Sequence, residues 1–126
     1  MPEIEVVFFA ENNGSAPALE WLHSLPETVR DRFIVRIERL AALGSALRRP
    51  EADFLRDGIC ELRVRHRRIN YRMLYFFSEQ QAVLSHGLLK ESDVPDQEIR
   101  RALARRAAFA QDAERHTYGE GRGRRA

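Results

Sequence analysis

A chain of 126 residues, 44% hydrophobic and 32% charged, fits one domain with a modest core, and no apolar run approaches the roughly 20 residues of a membrane helix. The net charge of +2 is unevenly spread, with six arginines against nine acids over residues 1–55, seven basic residues against four acids over 56–92, and eight against six over 93–126. The single cysteine, Cys60, excludes an internal disulfide and a cysteine-based metal cluster, and the opening MPEIEVVFFAENN lacks the basic and apolar regions of a secretory signal, so a cytoplasmic protein is expected.

Residues 4–10, IEVVFFA, are β-branched and aromatic and stop at Asn12, Asn13 and Gly14; they predict a strand at the edge of a sheet. Ser15 offers an N-cap and Pro17 an early helical position for a short helix carrying Leu19, Leu22 and Leu25, which Pro26 ends. A second helix is expected from Glu27, with Val29, Phe33, Ile37 and Leu40 at spacings of four, four and three and Gly44 placed at C′. The two read as an αα-hairpin packed on one sheet face. Residues 45–58 show no periodicity and read as a connection closed by the turn signal Asp57-Gly58. Strands over 59–66, 69–77 and 81–90 then predict an antiparallel meander with short loops at Arg67-Arg68 and around Ser78–Gln80. From Pro95 a last helix runs to about Glu114 with Ile99, Leu103, Ala107 and Ala110 on one face, and residues 115–126 read as a disordered basic tail. The fold class is α+β: one domain over 1–114, an N-terminal strand and helix pair packed on an antiparallel sheet, and a C-terminal helix.

The segment ELRVRHRRINYRMLYFF, residues 61–77, sets five arginines beside the most apolar run of the chain. An even loop between Arg67 and Arg68 pairs Arg63 with Arg72 and Arg65 with Asn70 on one face, and Leu62 with Met73 and Val64 with Tyr71 on the other. Like charges facing each other cost stability unless Glu61 or a bound anion offsets them. Such a violation of local rules is the kind expected at a functional site. Extending the register across an even loop between Glu79 and Gln80 puts Gly87 opposite Arg72, leaving space above the guanidinium, and puts His86 and Lys90 on the helix side unless a bulge intervenes. Guanidinium groups suit phosphate, being planar and always charged.

The ordered pattern DGICELRVRHRRINYRMLYFF, VLSHGLLK and VPDQEIRRALARRAAF resembles the phage-derived branch of the RelE/HigB toxin superfamily, over about residues 54–110. The resemblance implies a RelE-like fold with helices on one face of an antiparallel sheet, mRNA cleavage on the translating ribosome, and inhibition by a cognate antitoxin. DNA would be met only indirectly, through the antitoxin complex. Carried over, the functional arginines are Arg63 and Arg72 and the lysine after His-Gly is Lys90. The chain departs from the pattern at Glu91, where a second basic residue is common, and at Leu88, where Phe is usual.

Cleavage of this class uses the substrate 2′-OH as nucleophile, so the protein must move two protons and stabilise a phosphorane. Arg72 is expected to stabilise the phosphorane, Arg63 and Arg65 to position phosphate, and Lys90 to add charge, with Arg67, Arg68 and His86 as further RNA contacts. His66, His86, Glu61, Lys90 and the tyrosines remain candidates for proton transfer. The four histidines are scattered, the phosphate-loop and dinucleotide patterns are absent, and neither metal nor cofactor is expected. The alternatives are a gyrase-inhibiting toxin on the same fold and a non-catalytic nucleic-acid-binding or antitoxin-binding module.

Overall fold

The computed structural model describes residues 4–119. These form a five-stranded sheet and three α-helices: β1 Glu5–Phe8, α1 Pro17–His23, α2 Glu27–Leu43, β2 Ala52–Arg56, β3 Ile59–His66, β4 Ile69–Ser78, β5 Gln81–Leu89 and α3 Asp96–Gln111. The strand order is β1-β5-β4-β3-β2. The meander of β2 to β5 is antiparallel, whereas β1 lies at the edge, parallel to β5. The sheet is therefore mixed. β2 lies inside the segment whose lack of periodicity predicted only a connection; five residues with a bulge between Phe54 and Arg56 are too short and irregular to show alternation.

The helices do not share one face, as the resemblance implied. α1 and α2 pack Leu22, Val29, Phe33 and Leu40 against Leu62, Val64, Met73, Tyr75 and Leu84, while α3 packs Ile99, Ala102 and Phe109 against Ile59, Leu74, Phe76 and Val83 on the other face. Each fully buried Val, Leu, Ile, Met or Phe among them contributes about 1.5–3 kcal/mol, so the two cores together hold the sheet between its helices. α2 ends where Gly44 takes φ +57°, in the left-handed region that favours glycine.

Two-residue turns set the meander. Asp57 and Gly58 both have positive φ, as do Arg67 (+51°) and Arg68 (+70°), the geometry whose twist matches that of paired strands. Arginine is an unusual occupant of such positions, costing roughly 1–2 kcal/mol each relative to glycine. After α3 the chain returns along β1. Thr117 bridges Phe9, the Tyr118 N–H donates to the Phe8 carbonyl at 2.8 Å, and His116 stacks on Phe9 at 5.0 Å. His116 and Thr117 are thus buried parts of the fold, not of a disordered tail, and residues 120–126 of that expected tail lie outside the described residues.

Candidate functional site

The β3–β4 register is the one that the sequence predicts: Arg63 pairs with Arg72, Arg65 with Asn70, Leu62 with Met73 and Val64 with Tyr71. Alternation puts Glu61, Arg63, Arg65 and Arg72 on the face that carries Ile59, Leu74 and Phe76. α3 covers those three apolar residues and leaves the arginine half open. The segment after β5 forms one wall of the resulting groove and the β2 edge the other.

Two adjoining cavities occupy the groove. The first, about 510 Å³, is lined by Arg36, Arg63, Arg65, Asn70, Arg72 and Glu91 among others. The second, about 470 Å³, is lined by Arg49, Asp53, Arg56, Glu61, Arg63, Arg72, Glu91 and Asp93, with Phe54 and Leu55. Arg63, Arg72 and Glu91 belong to both. Four arginines against one carboxylate make the first cavity strongly positive, whereas four against four balance the second.

Arg72 is held tightly. Only 9% of the residue is exposed, and its NH1 donates to Glu61 Oε1 at 3.2 Å. Its Nε is buried with no hydrogen-bond partner among the described residues, so the guanidinium is only part satisfied. Glu61 is 1% exposed and also faces Arg63 Nε at 3.9 Å. Burial raises the Glu61 pKa, and the nearby Arg72 and Arg63 only partly oppose that shift. Arg63 further meets Asp53 Oδ2 at 3.7 Å, and Asp53 is bound by Arg49 at 2.7 Å, a contact that lowers the carboxyl pKa. The facing arginine pair thus has acidic partners inside the chain. They do not use all its donors, since each guanidinium carries five.

Arg65 is exposed and reaches Asn70 Oδ1 at 3.3 Å, while Arg67 and Arg68 stand exposed at the hairpin tip. Arg32 and Arg36 of α2 donate to the carbonyls of Arg65 and Arg63 at 3.1 and 3.0 Å, covering the β3 edge beyond the end of β2. Arg36, Arg49, Asp53 and the groove position of Glu91 were not anticipated. Arg32, Arg36 and Arg39 recur at helical spacing, a signal that could have joined α2 to the site, whereas the irregular β2 segment hid Arg49 and Asp53.

The β4–β5 register departs from expectation. A bulge at Ser85, between the Leu74–His86 and Tyr75–Leu84 pairs, shifts everything beyond it by one residue. Arg72 therefore faces Leu88, and Gly87 faces Met73 on the α1 side. A Cβ at Gly87 would overlap the Trp21 ring, so its missing side chain makes room for Trp21 and not for a phosphate. The same shift turns His86 to α3, where Nε2 lies 2.9 Å from Glu98 Oε1 and Nδ1 lies 2.8 Å from Ser85 Oγ and 3.1 Å from Arg105 NH1. A neutral ring donating from Nε2 and accepting at Nδ1 fits these partners, and burial followed by Arg105 lowers the His86 pKa. Buried so, His86, expected as an RNA contact, has both ring nitrogens engaged inside the fold and lines neither cavity. Lys90 is exposed just past the end of β5 and lines neither cavity; Glu91 does.

No three His, Cys, Asp or Glu side chains come together as a metal site among the described residues. No helix among them is long and apolar enough to cross a membrane. No curated protein matches the chain. The family described as phage derived protein Gp49-like (DUF891) matches residues 20–107, which take in the end of α1, all of α2, the whole meander and most of α3. Membership of a toxin–antitoxin family implies a cognate antitoxin as partner. The chain belongs to the Gp49-like phage-derived family, a RelE/HigB-like toxin family of toxin–antitoxin systems.

Proposed function

We propose that the chain is a toxin of the HigB-like branch that cleaves mRNA on translating ribosomes through the chemistry of its arginine groove. The observation that carries this reading is Arg72, nine-tenths buried where the two cavities meet, with a buried Nε that no described residue satisfies. A phosphorane gains negative charge relative to the ground-state phosphodiester, so a guanidinium pre-fixed by Glu61 lowers the barrier without reorganising. Arg63 and Arg65 flank it as phosphate-positioning groups, and the positive first cavity suits the scissile phosphate. The charge-balanced second cavity, with Phe54 and Leu55 on its rim, suits a sugar or base. Arg67 and Arg68 at the exposed tip are placed for contacts to an RNA backbone. The antitoxin would silence the protein by covering this groove with acidic groups.

Primer extension on a defined mRNA, with and without active ribosomes, tests the reading. The Arg72→Ala variant leaves a buried carboxylate behind, so Arg63→Gln and Arg72→Lys are the cleaner variants. Discrete 5′ ends with wild type on translating ribosomes, and at least a 100-fold loss in both folded variants, is the expected result. Intact transcripts in every lane would refute it. A second reading draws on the internal partners of the arginines: if Glu61 and Asp53 satisfy the groove, the protein binds RNA with a steep salt dependence and never cuts.

A further inference from the structure

The groove lacks an obvious proton acceptor among the residues first considered for that role. Glu61 is 1% exposed with both oxygens turned to arginines, His86 is locked between Ser85, Glu98 and Arg105, and Tyr75 lies on the opposite face against Cys60 and Phe77. Burial also raises the Tyr75 pKa. His66 and Lys90 line neither cavity, and Tyr71, which touches the first, is buried in the core of the α1–α2 face beside Trp21. Asp53 is tied to Arg49 and Arg63, and Asp93 lines the second cavity alone.

Glu91 differs from all of these. It lines both cavities beside Arg63 and Arg72, it is exposed, and its side chain makes no hydrogen bond or ion pair with any described residue. An ionised carboxylate accepts hydrogen bonds and donates none. Set beside Arg63 and Arg72, it supplies the one property that these guanidinium groups lack, since arginine stays protonated and cannot take up a proton. We propose that Glu91 is the general base of the cleavage step, an inference that rests on the endonuclease reading above.

In this step the Glu91 carboxylate takes the proton of the substrate 2′-OH as the O2′–P bond forms. The P–O5′ bond then breaks, the departing 5′ oxygen takes a proton from water, and the hydroxide so formed takes the proton held by Glu91. The products are a 2′,3′-cyclic phosphate and a 5′-OH. Arg72 and Arg63 hold the phosphorane oxygens throughout. The placement also explains how a carboxylate is tolerated beside a phosphate site, where electrostatics alone would favour a basic residue.

Base catalysis and simple repulsion predict opposite outcomes, which makes the test decisive. Wild type, Glu91→Gln, Glu91→Asp and Glu91→Lys are compared for single-turnover cleavage of a ribosome-bound transcript and for binding of a matching RNA fragment by fluorescence anisotropy. Because Glu91 is exposed, each variant is expected to keep the wild-type circular dichroism spectrum. A base predicts cleavage at least 100-fold slower in Gln and Lys, partial activity in Asp, and RNA affinity equal to or tighter than wild type. Gln and Lys variants that bind more tightly and cut as fast or faster would overturn the proposal while leaving the endonuclease intact. Failure of wild type to cut at all would overturn the endonuclease reading and this inference with it.

Discussion

Truncating Arg72 should cost the fold several kcal/mol, and the cause lies in its partner. Glu61 is 1% exposed and its Oε1 accepts from Arg72 NH1 at 3.2 Å, while Arg63 stands off at 3.9 Å and faces Asp53 as well. Removing one member of a buried ion pair leaves an uncompensated charge, at a cost of about 3–5 kcal/mol. With a melting entropy appropriate to a domain of this size, about 4 °C per kcal/mol, Arg72→Ala should lower Tm by roughly 12–20 °C. Adding Glu61→Gln removes the stranded charge, so the double variant should recover at least ~2 kcal/mol of the loss, read as a coupling energy in a double-mutant cycle by urea denaturation. The pH dependence has a defined sign. Burial already raises the folded-state Glu61 pKa, and loss of Arg72 removes an opposing charge and raises it further. A raised folded-state pKa favours folding most when the group is protonated. The deficit of Arg72→Ala should thus be largest at neutral pH and shrink as the pH falls through that raised value. A single variant within 1 kcal/mol of wild type, or a deficit of equal size with Gln at position 61, would refute the reasoning.

Gly87→Ala should cost about 1–3 kcal/mol, because its Cβ enters the Trp21 ring, and a blue or red shift in tryptophan emission should accompany the loss; unchanged stability and emission would contradict the packing. Replacing Arg67-Arg68 by Asn-Gly should raise stability by roughly 1–2 kcal/mol, since both positions have positive φ, and should lower the salt slope of RNA binding by about two if each arginine meets a phosphate. His86 has a lowered folded-state pKa, so its contribution to stability is present above its ordinary value of 6.5 and is lost as the pH falls through the lower folded value. Denaturation of His86→Gln between pH 7 and pH 5 should therefore show a shallower acid loss than wild type; here the groups facing the ring are Ser85, Glu98, Arg101 and Arg105.

The residues of one hairpin determined their own pairing. Alternation along residues 59–77 and a two-residue turn at Arg67-Arg68 leave one register that buries Leu62, Val64, Tyr71 and Met73 together, which is why the facing arginines could be read without coordinates. The second helix was equally legible from Val29, Phe33, Ile37 and Leu40, because period and burial coincide there. The β4–β5 register could not be read in the same way. The bulge at Ser85 is held from outside its own strand pair, by Arg105 and Glu98 of α3 on one face and by Trp21 of α1 over Gly87 on the other. A one-residue slip exchanges the two faces of a strand, so those distant contacts decided that His86 is buried against α3 and that Gly87 lies beneath an indole. They also bear on the chain that follows β5, where Glu91 and not Lys90 lines the groove. Local sequence specifies a register where turn and burial pattern agree, whereas a bulge is chosen by the packing of elements far apart in the chain.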